Sequence, residues 1–346
     1  MSRSSAQITA ALLAKYDRPG PRYTSYPTAI EFHEGFTPER YLEKLDEAAR
    51  AAQEPLSLYV HLPFCRERCT FCGCNVIITQ KAGVADAYLD DLEREIDLVG
   101  ARLGKRTRVV QYHWGGGTPT YLTLDQIRRV WRATAARFTF EPNAEIAIEV
   151  DPRVTTRDQA DLLRELGFNR ISMGVQDFDP DVQEAVNRRQ TFEQTRDLHL
   201  YLRELKIESI NFDFIYGLPH QTPTTFRKTI ELALDLRPDR VACYSYAFVP
   251  WIKAHQKAIH LEDLPPREVK LELFGIAHEL FVGAGYQQIG MTISRSRRIP
   301  WPSPRGIARS SGISWATQPT PRRTPSASAS PRSATSGARS RRTRRS

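Results

Sequence analysis

The chain has 346 residues, 40 % of them hydrophobic, enough for one large domain or two ordinary ones with a packed core. Its formal charge of +9 is unevenly placed: residues 292–346 hold 13 Arg and no Lys, Asp or Glu, and removing those charges leaves residues 1–291 at −4. Basic charge therefore argues for nucleic acid only in that tail, and the rest of the chain is read as having no nucleic-acid partner.

No apolar run approaches the roughly 20 residues that cross a bilayer. MSRSSAQITAALLAKYDR, the N-terminal stretch, lacks the apolar core and cleavage site of a secretory signal. A cytoplasmic, reducing setting is expected, with no membrane partner. In such a setting clustered cysteines hold metal or do redox chemistry more often than they form disulfides.

Taken in chain order, residues 1–50 read as a segment lying over the domain that follows, and 51–291 as that domain. Its candidate strands are 55–62, 108–114, 144–150, 170–176, 209–217 and 239–248, several of them apolar on both faces. Helical patterns lie between and after them. In 86–103, Tyr88, Leu92, Ile96, Val99 and Leu103 recur at three- and four-residue steps. Residues 156–169 open on a Thr cap and close at Gly167, and 191–206, 223–237 and 266–285 read the same way. Six strands alternating with helices predict an α/β fold with a parallel sheet, either doubly wound or a complete or partial barrel. In both, ligands sit at the carboxyl ends of the strands. The unusual residues fall there: four cysteines after the first strand, Gly115–Thr118 after the second, Glu149 closing the third and Gln176 the fourth.

The first strand runs into HLPFCRERCTFCGC, residues 61–74, which holds four of the five cysteines. Cys65, Cys69 and Cys72 form C-x3-C-x2-C, with Cys74 two residues further on. Thiolates are soft ligands for iron–sulfur clusters, zinc and copper(I). A closed zinc site ordinarily draws a second ligand pair from elsewhere, and no distant C-x2-C or H-x3-H is present. Three thiolates on a 4Fe–4S cube would leave one iron open to a small molecule. Zinc, or thiols packed in the core, are the other readings. Cys243, in VACYSYA, reads as a core thiol.

Gly115-Gly116-Gly117-Thr118-Pro119 is either a tight turn or a place where backbone meets a ligand closely. Without a helix-opening Lys-Ser/Thr it is not a phosphate loop. Tyr59 and His61 share one face of the first strand. His61 reads equally as a satisfied core histidine or as a proton relay. Glu149 would be costly to bury unpaired, and Asp151 reads as a loop cap.

The cysteine spacing, with Phe71 before the third Cys, resembles the cluster loop of the radical S-adenosylmethionine (SAM) enzymes. YVHLPFCRERCTFCGC, HWGGGTPTYL (113–122), EVDPRVTT (149–156), RISMGVQDFDPDVQEAVNR (170–188), INFDFIYGLPHQT (210–222) and GPRYTSYPTA (20–29) resemble the oxygen-independent coproporphyrinogen III oxidases of that superfamily. The resemblance runs from about Tyr23 to Met291. It implies a partial (β/α)6 TIM-like barrel of the radical SAM type. It implies a 4Fe–4S cluster on Cys65, Cys69 and Cys72, with its fourth iron chelated by SAM, and a second SAM beside it. SAM or cluster contacts would fall to Tyr59, Phe71, Gly116, Gly117, Thr118, Glu149, Gln176, Arg188, Asp213 and the Ala247 backbone.

The implied reaction converts the propionates of rings A and B of coproporphyrinogen III to vinyls with loss of carbon dioxide, in heme biosynthesis. A 5′-deoxyadenosyl radical abstracts hydrogen from the propionate β-carbon. An electron donor for the cluster and an unidentified final acceptor are implied partners, and a monomer is expected. Cys74 would have a catalytic or substrate-positioning role, its alternative being a buried thiol without one. Heme chaperones of the same branch, which bind heme without decarboxylating, are the other reading. They typically carry an aromatic residue at the Cys74 position, so Cys74 and GPRYTSYPTA favour the oxidase. Arg22 is expected to hold substrate propionates.

Past Met291 the family pattern stops. Residues 292–346, with 13 Ser and 7 Pro besides the Arg, look like coding read in a shifted frame and stand where the family has a helical C-terminal domain. They are expected to be disordered, binding RNA or a membrane surface only as a sharper alternative. The barrel is expected to keep the cluster and SAM cleavage, with coproporphyrinogen turnover weak or lost.

Overall fold

A computed structural model of the chain describes Lys15, His33, residues 35–81, 83–289 and 293–296, and the backbone of 311–315. Arg22 and GPRYTSYPTA lie outside the described residues, as does most of the tail.

The first described helix is α1 (Pro38–Arg50), capped by Thr37. Six strands then alternate with helices: β1 (Leu56–Leu62), α2 (Val84–Leu103), β2 (Arg108–Gly116), α3 (Leu124–Arg137), β3 (Thr139–Val150), α4 (Arg157–Glu165), β4 (Arg170–Gln176), α5 (Pro180–Ala185), α6 (Phe192–Glu204), β5 (Ser209–Tyr216), α7 (Pro223–Leu236), β6 (Arg240–Ser245) and α8 (Arg267–Gly283). Strands β1 to β6 are parallel and adjacent in sequence order. That sequential winding makes the molecule a partial barrel and removes the doubly wound alternative, whose strand order reverses. No helix among the described residues is long and apolar enough to cross a membrane.

Four helices begin in the same way. Thr123, Thr156, Thr191 and Thr222 each accept a hydrogen bond from the backbone N–H three residues on, and Gln126, Gln159, Gln194 and Thr225 each return one to the capping backbone. Each pair satisfies two donors that the first turn leaves free. Helix α3 is not among the sequence expectations, although T-L-D-Q carries this signature. Its inner face is only Ile127, Val130 and Thr134, too short an apolar stripe to stand out.

The strands are two-sided in a way their composition hides. Outward-facing Leu56, Leu58, Tyr112, Trp114, Ile146, Ile148, Ile171, Phe212 and Phe214 are buried beneath the helices. Trp114 meets Phe168 edge-on at 5.1 Å, and Tyr112 packs between Trp114 and Trp131. The inward face is polar. Register aligns Ser57 with Gln111 and Gln111 with Glu145, then Tyr59 with His113, Glu149 with Ser172, and Gly174 with Asp213. The expectation of strands apolar on both faces therefore fails for the inner one. A partial barrel turns that face to a cleft rather than to a second helical layer.

At the amino end of the barrel Glu145 accepts from Arg170 at 2.7 Å and from Gln111 at 3.1 Å, with Arg240 at 3.5 Å. Burial raises the Glu145 carboxyl, but Arg170, Gln111 and Arg240 outweigh it and hold the group below its ordinary value.

An open barrel leaves two strand edges with unpaired backbone groups. Beyond β6 lie antiparallel β7 (Tyr286–Gln288) and β8 (Ile293–Ser296), and beside β1 lies parallel β9 (Ser311–Trp315). These last two belong to the segment expected to be disordered. Each sits on a sheet edge that offers its backbone partners.

Candidate active site at the cysteine loop

A cleft of about 1670 Å³ opens at the carboxyl ends of the strands. Cys65, Cys69, Cys72 and Cys74 all line it, and none is in a disulfide. Phe71, Gly116, Gly117, Thr118, Glu149, Gln176, Arg188, Asp213 and Ala247 line it as well. Six chain segments far apart in sequence meet on one rim.

The cysteine loop is fixed from below. Cys65 ends a two-residue strand, Phe64–Cys65, that pairs with Ile77–Ile78 and so closes the loop on itself. Gly117 lies against it, its N–H donating to the Leu62 carbonyl at 2.8 Å. A Cβ at Gly117 would stand 2.6 Å from the Pro63 carbonyl carbon, and one at Gly116, whose φ is +117°, would meet the His61 ring. The glycines thus let two backbones touch, which the sequence alone leaves open between turn and ligand contact. Thr118 Oγ1 lies 3.5 Å from Cys65 Sγ.

The loop is also held from above, by the segment after β6. Lys253 Nζ donates to the Cys74 carbonyl at 3.2 Å, His255 Nε2 to the Cys72 carbonyl at 2.7 Å, and Gln256 Nε2 to the Phe71 carbonyl at 3.0 Å. Gln256 reaches the Ala247 carbonyl too, at 3.3 Å. Phe71 packs on Val182, Val186, Leu218, Tyr246 and Ile259.

Tyr59 and His61 do not line the cleft but stand behind the loop. His61 Nε2 donates to the Asn75 carbonyl at 2.9 Å, which leaves Nδ1 to accept from Tyr59 Oη at 3.1 Å. Both His61 nitrogens are thus engaged by neighbouring groups. Tyr59 stacks on His113, and burial with the nearby Glu149 charge pushes its hydroxyl up. Glu149 is not left unpaired: it accepts from His113 Nε2 and from the Gly116 N–H, both at 3.2 Å.

Asp213 accepts from Ser172 and Asn211 at 2.8 Å each, and burial pushes its carboxyl up to about 6 against those bonds. Asp151 does cap the Arg153 N–H, as expected of a loop cap, but it also pairs with Arg153 and Arg188. Burial would raise its carboxyl, yet the two guanidiniums hold it at about 2. Arg188 is the buried arginine of the pair. Arg189 faces out and binds Glu184.

The two neighbouring thiols act on each other: the Cys74 thiol favours the Cys72 thiolate and draws Cys72 down, while the same interaction and burial push the Cys74 thiol up. Cys243 is buried in the core, as expected, and burial pushes it up to about 12.

Sequence reasoning missed His113, Ser172, Arg153, Lys253, His255 and Gln256. For His113 a signal existed, since it alternates with the apolar Tyr112 and Trp114 on the strand leading into the glycines. The others are common residue types in loops and offered none.

A parallel partial barrel with three loop cysteines on its carboxyl-end cleft defines a class. The chain belongs to the radical SAM superfamily, whose sequence profile matches residues 59–233. Among its relatives are the oxygen-independent coproporphyrinogen III oxidases. That of Escherichia coli (strain K12) is 48 % identical over 281 residues, 81 % of this chain and 61 % of the relative. The Pseudomonas aeruginosa protein is 46 % identical over 284 residues, 82 % of this chain and 62 % of the relative. The solved structure of coproporphyrinogen III oxidase (HemN) from Escherichia coli, a radical SAM enzyme, superposes with a TM-score of 0.77 at 46 % identity. That match covers 83 % of this chain and 64 % of the other. The chain thus spans about three fifths of the length of the relatives it matches.

Membership implies a 4Fe–4S cluster and SAM, and the residues fit both. Soft thiolates are the donor set. Among the described residues no three His, Cys, Asp or Glu side chains converge on a point that would hold one metal ion. Cys65, Cys69 and Cys72 all line the cleft, where they would hold the cluster. The Arg188 Nε is buried without a partner in the same cleft.

Proposed function

We propose that this chain carries the catalytic barrel of an oxygen-independent coproporphyrinogen III oxidase, forming protoporphyrinogen IX by oxidative decarboxylation of the ring A and B propionates. The observation that carries the proposal is the meeting of Cys65, Cys69, Cys72 and Cys74 with the glycine turn on one cleft. Identity of 46–48 % to proteins of that name adds the substrate class.

Cys65, Cys69 and Cys72 are assigned as cluster ligands, leaving one iron for SAM. When bound, the cluster supplies the electron that cleaves SAM to methionine and a 5′-deoxyadenosyl radical. The chain's own residues bind and orient. Gly116 and Gly117, seated against the cysteine loop, are assigned to present their backbone to SAM in the cleft. Glu149 borders the first SAM position on the cleft wall, and Tyr59 is assigned to support it from behind, through the stacked His113 that donates to Glu149. Phe71, Thr118, Gln176, Arg188, Asp213 and the Ala247 backbone suit SAM contacts, including those of a second molecule. Cys74, exposed beside the ligand loop and in no disulfide, is assigned to act on substrate. Arg22 is assigned to a propionate. A cytoplasmic monomer with an external electron donor completes the reading, whose final electron acceptor is unassigned.

The test is anaerobic reconstitution of the full chain with iron and sulfide, then SAM, dithionite and coproporphyrinogen III, with deoxyadenosine and carbon dioxide followed together. Both products in matched amounts support the proposal. Deoxyadenosine alone means the radical machinery works but this length of chain does not hold the substrate. Tight heme binding without a vinyl product points to the chaperone branch. Neither product nor cluster absorbance overturns the cysteine assignment.

A further inference from the structure

Of the four loop cysteines only Cys69 is buried, and two guanidiniums reach its sulfur. Arg153 Nη2 lies 3.9 Å from Cys69 Sγ and Arg188 Nη1 lies 3.8 Å from it. They come from different loops, one after β3 and one after α5, and Asp151 joins them. Asp151 Oδ2 accepts from Arg153 Nη2 at 2.7 Å and from Arg188 Nη1 at 3.0 Å, while Oδ1 accepts from the Arg153 N–H at 3.0 Å and Nε at 3.1 Å. Arg188 Nη2 is fixed a second time by the Gly174 carbonyl at 2.6 Å. The three side chains are 16 %, 9 % and 8 % exposed, so the group is dry and its geometry is locked. Cys65 has a neutral partner, the Thr118 hydroxyl, and Cys72 has the Cys74 thiol. Guanidinium N–H donors thus reach one of the three sulfurs, while Lys253 acts on Cys72 only through its charge.

We propose that Arg153, held by Asp151, is a positioning residue that raises the reduction potential of the iron–sulfur cluster through the Cys69 sulfur. The inference rests on the assignment of Cys69 as a cluster ligand. Reduction of the cluster by one electron from an added low-potential reductant places extra negative charge on iron and its ligand sulfurs. A nearby positive charge and N–H donors stabilise the reduced form more than the oxidised one. The effect is strong where water is excluded. Asp151 plays two parts, orienting both guanidiniums and offsetting one of their charges. Arg153 also lies at the cleft wall without being needed as a SAM contact, which separates its part from that assigned to Arg188.

The signs of the test follow. Arg153→Met removes a positive charge and one of the two donors to Cys69, so the midpoint moves to more negative potential. Arg153→Lys keeps the charge without the fork and stays near the parent value. Asp151→Asn removes a negative charge, so the midpoint moves to less negative potential. The measurement is a redox titration of the reconstituted full chain followed by electron paramagnetic resonance, without SAM or substrate. Iron content and melting temperature are recorded on the same samples.

A purely structural role would lower iron content or melting temperature and leave the midpoint of the loaded fraction in place. Unmoved midpoints in Arg153→Met and Asp151→Asn overturn the inference. Should Arg153→Met fail to load, Asp151→Asn decides alone, and a midpoint that does not rise overturns it. Absence of a cluster in the parent chain would instead sink the assignment of the cysteines.

Discussion

At the residue scale, a buried acid shows how this barrel trades charge for packing. Asp177 leaves β4 into the core, where its carboxylate accepts from Thr229 and Gln221 at 2.6 Å and from the Asp179 N–H at 2.8 Å. Burial outweighs those bonds and lifts its carboxyl from 3.8 to about 6. Between these values the folded chain binds more protons than the unfolded one. Stability contributed by this group is therefore present at low pH and lost as pH rises through about 6. The loss amounts to roughly 1–3 kcal/mol. Asp177→Asn should remove that slope while adding a pH-independent cost, since an amide N–H then faces donors. Urea denaturation of parent and variant at pH 4 to 7, read as a difference, checks this; parallel stability curves would refute it.

At the element scale, the cysteine loop depends on two others. Gly117→Ala would put a Cβ 2.6 Å from the Pro63 carbonyl carbon and 2.7 Å from the Phe64 oxygen, both backbone atoms that cannot swing away. A loss of about 1–3 kcal/mol is expected from such overpacking, with reduced iron uptake on reconstitution. The segment after β6 makes the second clasp. The double variant His255→Ala, Gln256→Ala should leave the barrel's melting temperature within a few degrees and speed amide exchange in residues 71–76. Unchanged exchange there would show that the clasp is incidental. The cysteines and glycines of this site were legible because their types are rare and their spacing is tight. Lys253, His255 and Gln256 were not, because a Lys, a His and a Gln in a loop about 180 residues away carry no mark. Only the return of β6 to the sheet brings them to the loop's carbonyls.

At the scale of the whole molecule, the barrel must close its base while leaving its top open. Glu145 does this by standing among Arg170, Arg240 and Gln111. Glu145→Gln would leave two guanidiniums facing each other around a neutral amide. A partly buried ion pair broken on one side costs on the order of 1–3 kcal/mol here, discounted for residual solvent. The denaturation midpoint should fall, and added salt should recover part of the loss. A midpoint that does not move would mean solvent already screens the network. Helix α3 belongs to this scale too. Its polar surface hid it from a periodicity reading, yet the sheet needs a crossover between β2 and β3, and Arg129 ties it to Asp90 and Glu93 of α2.

The sequence by itself determined the six parallel strands of the barrel, their alternation with helices and the ligand-bearing loop. Each of these is encoded in local composition: apolar period, threonine caps, clustered thiols and glycines. Strand count left a doubly wound sheet open and the partial barrel was implied by the family resemblance; the sequential strand order bears the barrel out, and tertiary structure alone decided that the inward face is polar. It decided that Asp151 binds two arginines and that Cys69 is the cysteine they surround. Such choices depend on which distant side chains exclude water from which charges, and that is settled only when the sheet has curved and closed around its cleft.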